Sequence, residues 1–146
     1  MDIPLVEPGV VGSCPVAPDT LPGLPRQQTN AARWAGEGWA TFAATVRSQG
    51  IEVLEEGHTR GSFSTDAGGT AYGLPHGVVI ARSADQVASI MKLAQMYRVP
   101  VTVRGGGLTT EGESVAYGGL LLDMTGMSRV LAVDSKALTV RVEAGI

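Results

Sequence analysis

Residues 101–119 read VTVRGGGLTTEGESVAYGG. A β-branched run, VTVR, leads straight into three consecutive glycines, Gly105, Gly106 and Gly107, with Gly112 close behind. Bare backbone of this kind lets several N–H groups converge on one spot. Without Cβ atoms a phosphate can approach them closely. The chemistry on offer is therefore anion binding by main chain. Metal chemistry has little to build on: Cys14 is the single cysteine, and His58 and His76 stand far apart with no ligand spacing.

Two phosphate-binding motifs fail on this stretch. The dinucleotide fingerprint G-x-G-x-x-G fits Gly105 and Gly107, but its third place is Thr110, and no long amphipathic helix follows. The phosphate loop G-x-x-x-x-G-K-[ST] is nearly met by Gly107 to Ser114, yet Glu113 stands in the place of the lysine. A carboxylate there reverses the charge that the motif needs.

The elements that must position the loop are clearest just before it. GVVIAR, from Gly77 to Arg82, reads as a strand. In the SADQ that follows, Ser83 is placed to cap a helix, with Gln86 reaching back to it as a capping box. Val87, Ile90, Met91 and Ala94 form an apolar stripe at helical spacing, and Val99-Pro100 stops it. A βαβ unit over residues 77–103 with parallel strands and right-handed crossover is expected. GGLLLDM, from Gly118 to Met124, reads as a third strand. Residues 128–134 and 137–145 read as a hairpin turning at DSKA. Upstream, Trp34, Trp39, Phe42 and Val46 suggest a helix from about Asn30 to Gln49, with the tryptophans as core. IEVLEEG reads as a short strand or helix end. The following HTRGSFSTDAGGTAYGLPHG reads as a glycine-rich loop, with Tyr72 and His76 near a pocket wall. Residues 1–28 hold Pro4, Pro8, Pro15, Pro18, Pro22 and Pro25, and are expected to be an irregular leader. The fold class expected is α+β, the βαβ unit sitting in a small mixed sheet.

Composition bounds the partners. The 146 residues suit one domain, and 44% hydrophobic against 17% charged residues is ordinary for a globular protein. A net charge of -3 and 5% aromatics argue against nucleic acid. The proline-broken N-terminus has no basic residue before Arg26, so neither a signal peptide nor a membrane segment is expected. One cysteine excludes an intrachain disulfide, and a cytoplasmic placement is expected.

VPVTVRGGGLTTEGESVAYGGLLLDMTGMSRVLAVD resembles the pyrophosphate-binding segment of FAD-linked oxidases that carry the p-cresol methylhydroxylase (PCMH)-type flavin domain, the vanillyl-alcohol oxidase superfamily. The likeness covers about Gly73 to Ile146. It implies that residues 29–146 are the N-terminal part of such a domain, with FAD as cofactor and a small-molecule substrate for the complete protein. The implied cofactor-binding set is Arg104, Gly105, Gly106, Gly107, Leu108, Thr109, Thr110, Gly112 and Glu113. In it the glycine N–H groups wrap the diphosphate and Thr109 donates its hydroxyl. Glu113 falls where some members carry glutamine, so a donor is lost there. Leu108 falls where covalently flavinylated members place histidine. Leucine has no nucleophilic atom, so non-covalent FAD is implied. The STDAGGTAYG stretch also has a familial look, though Ser64, Asp66 and Tyr72 receive no chemistry from it. No catalytic residue is identified. Two function classes stay open: the FAD-binding portion of an oxidoreductase, and a non-catalytic remnant or interaction module that no longer binds flavin. The hairpin's unpartnered edge leads to an expectation of self-association.

Overall fold

In the computed structural model, Gly36 and residues 38–146 are described. The proline-rich 1–28 stretch and Trp34 lie outside them. Helix α1 spans Trp39–Ser48 and α2 spans Gly57–Ser62. Strand β1 (Gly77–Ile80), helix α3 (Ala84–Tyr97) and strand β2 (Val101–Arg104) follow, then β3 (Leu120–Asp123), β4 (Val130–Asp134) and β5 (Thr139–Val142).

α1 begins later than its apolar spacing suggests. Gly36 and Gly38 carry φ angles of 79° and 86°, a left-handed backbone that a helix cannot run through. α3 is as expected at its start: the Ser83 hydroxyl accepts from the N–H of Gln86 at 3.2 Å. The Gln86 side chain reaches one residue past the cap, accepting from the N–H of Arg82 at 2.9 Å. Arg98, at φ 54°, closes the helix in the left-handed conformation, and the N–H of Val99 returns to the Ala94 carbonyl. The α2 turn falls within a stretch whose sequence reads as loop. Its GHTRGS sequence has two glycines and no apolar stripe, and Arg60 ties it to the Pro75 carbonyl at 2.7 Å.

Three strands form an all-parallel sheet in the order β1-β3-β2. Leu120 faces both Gly77 and Val101, and Asp123 faces both Ile80 and Arg104. β1 and β2 are thus parallel, as the βαβ reading requires, but β3 lies between them. The reason is legible in its residues: LLLD carries no polar alternation and is buried throughout, as suits a strand covered on both faces. Leu120 and Leu122 turn toward the helices, joining Phe42 and Val46 of α1 and Ile90 and Ala94 of α3. Leu121 turns the other way, onto Val78 and Ala116. Each such fully buried leucine contributes roughly 1.5–3 kcal/mol of apolar burial. β4 and β5 pair antiparallel as a separate two-stranded sheet, so the strands sort into two sheets rather than a single mixed one.

Candidate functional site

The glycine loop leaves the C-terminal end of β2, where the Arg104 carbonyl accepts from the N–H of Met124 at 2.8 Å. A second segment, residues 65–70, lies alongside it. The N–H of Ala67 donates to the Gly107 carbonyl at 2.9 Å and that of Gly68 to the Thr109 carbonyl at 3.2 Å. The Thr70 hydroxyl donates to the Thr110 carbonyl at 3.1 Å. Arg104 reaches across the same seam: its Nη1 donates to the Thr65 carbonyl at 2.7 Å, and its guanidinium lies 5.4 Å from the Phe63 ring centre.

One residue organises this seam, and it is Asp66, to which the sequence assigns no chemistry. It is only 6% exposed. Its Oδ1 accepts from the N–H of Gly68 at 3.1 Å. Its Oδ2 accepts from the Thr109 hydroxyl at 2.8 Å and from the N–H of Gly112 at 2.9 Å. Burial alone pushes the carboxyl up. The hydrogen bonds from Thr109, Gly112 and Gly68 outweigh it, and the group sits below its ordinary carboxylate value. The Ser114 hydroxyl lies 2.7 Å from that of Thr109. Thr109 has one proton and gives it to Asp66, so Ser114 is the donor in that pair. In this structure the Thr109 proton, expected to serve a phosphate, is turned to Asp66.

The glycines divide into two kinds. Gly107 is required by the protein itself, since it has a φ of 68° and any Cβ would strike the Arg104 guanidinium. Gly105 and Gly106 are not. Neither has a positive φ, a Cβ on Gly105 would meet nothing within 4 Å, and one on Gly106 would touch only Leu108 at 3.7 Å. Among the described residues, the N–H groups of Gly105, Gly106, Gly107 and Leu108 have no protein acceptor. They border an open cleft of about 440 Å³ formed by residues 105–109 with Val103, Glu113 and Ser114. Leu108 is 82% exposed. The exposed Glu113 carboxylate accepts from the N–H of Glu111 at 3.2 Å. Tyr72 and His76 do not line this cleft. The His76 ring packs 5.7 Å from that of Trp39, and its Nδ1 accepts from the N–H of Gly119 at 2.8 Å.

Main-chain donors around bare glycine at the carboxyl end of a parallel sheet are the geometry expected of a nucleotide-binding fold. Comparison with known proteins agrees. The family described as FAD binding domain matches residues 75–146. The mitochondrial D-lactate dehydrogenase [cytochrome] of Arabidopsis thaliana is 39% identical over 77 residues, covering 52% of this chain and 14% of that protein. The D-2-hydroxyglutarate dehydrogenase of Pantoea ananatis is 36% identical over 113 residues, covering 73% of this chain and 11% of that protein. Among solved structures, 4-ethylphenol oxidase from Gulosibacter chungangensis superposes with a TM-score of 0.65 at 24% identity, over 77% of this chain and 23% of that one. Residues 75–146 are part of an FAD-binding domain homologous to those of FAD-linked oxidoreductases. The chain carries part of that domain and spans 14% and 11% of the length of these two curated relatives. Among the described residues, no helix is long and apolar enough to cross a membrane.

Proposed function

We propose that the loop from Arg104 to Gly112 holds the diphosphate of FAD non-covalently, as the cofactor-binding part of an FAD-dependent oxidoreductase. The observation that carries this reading is the pair Gly105 and Gly106, whose missing side chains the protein's own packing does not need. Their N–H groups, with those of Gly107 and Leu108, would donate to the phosphate oxygens. Arg104 holds the loop in shape through Thr65 and Phe63 and adds a positive charge beneath it. Bound FAD supplies the redox chemistry by accepting a hydride on its ring system. Leu108 offers no atom for a flavin bond, which supports non-covalent binding.

The substrate belongs to the complete protein. The relatives' names specify D-lactate and D-2-hydroxyglutarate, both small 2-hydroxy acids, and that class is the first to try. The net charge of -3 supports a small-molecule partner over nucleic acid. The single cysteine supports a cytoplasmic placement.

The test is flavin uptake by the purified protein and by Gly106→Val. A Cβ at Gly106 meets no protein atom beyond Leu108, so the fold should tolerate the change while the cleft floor is blocked. FAD content should collapse in the variant; unchanged content sinks the assignment of the loop. The remnant reading is favoured by Glu113, whose carboxylate borders the same cleft and would repel phosphate. A colourless protein that takes up no added FAD supports that reading instead.

A further inference from the structure

Asp66 sits beneath the loop without touching the cleft floor, and the contacts it collects are peculiar for a carboxylate next to an anion site. Its donors come from residues 43 and 46 positions along the chain, Thr109 and Gly112, as well as from its neighbour Gly68. A negative charge this close to a diphosphate would oppose binding if it were bare. Here three donors turn toward it, and two of them, Thr109 and Gly112, are drawn from the loop itself. Each donor that Asp66 takes fixes the direction of a neighbouring peptide or hydroxyl. The N–H of Gly112 and the proton of Thr109 point down to the carboxylate, Ser114 points to Thr109, and the N–H groups of Gly105 to Leu108 are left without an acceptor among the described residues.

We infer that Asp66 is a positioning residue for the cofactor: it sorts the loop's donors into those spent on the protein and those kept for phosphate, and so presets the loop before any ligand arrives. This rests on the reading of the loop as the FAD diphosphate site. Asparagine is the informative replacement, since it has nearly the same shape but turns an N–H₂ toward groups that are themselves donors. Valine at Thr109 removes the hydroxyl and keeps the branching. Serine at Thr109 keeps the hydroxyl.

The experiment uses the whole chain, unmodified and as Asp66→Asn, Thr109→Val and Thr109→Ser. FAD is titrated into each protein, and amide signals are followed by ¹⁵N NMR. The expected result is FAD binding weakened about tenfold or more in Asp66→Asn and Thr109→Val, the loss of one or more charge-assisted hydrogen bonds. Thr109→Ser should bind as the unmodified protein does. In the two weakened variants the amides of residues 105–112 should lose their distinct positions while those of β1 and β3 keep theirs. Equal FAD binding by all four proteins overturns the role of Asp66 and leaves the loop assignment standing. Loss of the β3 signals in Thr109→Val as well would mean that the network serves folding alone, and it too overturns the proposal. If the unmodified protein refuses FAD, the diphosphate reading itself falls, and this inference with it.

Discussion

A Cβ built on Gly107 would overlap the guanidinium of Arg104, three residues back along the same loop. That guanidinium bonds the Thr65 carbonyl and lies over the Phe63 ring. An alanine at Gly107 would meet two obstacles at once: a left-handed φ of 68°, which costs about 1–2 kcal/mol for a residue with a Cβ, and the arginine itself. Gly107→Ala should therefore lower the melting temperature by several degrees. Gly105→Ala, with open space around the new methyl and no positive φ, should leave it within about one degree. Equal melting temperatures for the two variants, by calorimetry, would contradict this division of the glycines.

His76 should make stability fall on mild acidification. Burial first, and then the Arg60 charge, hold its imidazole below the ordinary value of 6.5, with Glu55 opposing more weakly. The folded pKa is thus below the unfolded one. As pH falls past 6.5, the unfolded chain takes up a proton that the folded protein resists, so stability is fully present above that point and declines beneath it. A proton on Nδ1 would also break the bond from the N–H of Gly119. Melting curves from about pH 7.5 to about pH 5.5 should show the decline, and His76→Asn, which keeps an acceptor, should flatten it. An unchanged slope in the variant would place the titration elsewhere.

Strand β3 and Asp66 mark where the sequence is not readable. Local patterns were legible: the Ser83 cap, the α3 stripe, the β2 run into glycine and the hairpin all depend on neighbours within a few positions, and all appear in the structure. The central place of β3 was missed although its LLLD run, with no polar alternation, signals burial on both faces. Asp66 was missed for a different reason. Two of its three donors lie more than 40 positions away, a distance over which no periodicity carries information. The one local trace was the turn in Asp66-Ala67-Gly68, where the carboxylate accepts from the N–H two residues on. The partner of the Thr109 hydroxyl is hidden in the same way, because its direction depends on that distant carboxylate.

The hairpin presents an apolar face. Val133 pairs with Val140 and Val130 with Val142, and these four share one side of the pair while all remain exposed or nearly so. The purified chain should show concentration-dependent self-association in sedimentation experiments. Val133→Thr combined with Val140→Thr keeps β-branching and should shift the chain toward monomer, with a stability change within about 0.5 kcal/mol for each exposed site. A monomer at every concentration would mean that this face does not bring copies together.

Leu108 bears on the proposed non-covalent hold on the cofactor. Its side chain is 82% exposed beside Gly106, at the mouth of the cleft, and consists of carbon and hydrogen alone. No sulfur, nitrogen or oxygen is there to bond with a flavin methyl or ring carbon, whatever the orientation of the ring. If the loop holds FAD through its N–H groups as proposed, the flavin should be lost when the chain unfolds. Acid precipitation of the flavin-loaded protein should leave the yellow colour in the supernatant and a colourless pellet. Leu108→Ala should retain FAD to within about threefold, since only a modest apolar contact is at stake. Leu108→His, by contrast, places a nucleophilic nitrogen at the cleft mouth without changing the N–H groups of the loop. Colour that stays with the pellet of the unmodified protein would show a covalent bond, and the reading of this loop as a purely hydrogen-bonding cradle would have to be abandoned.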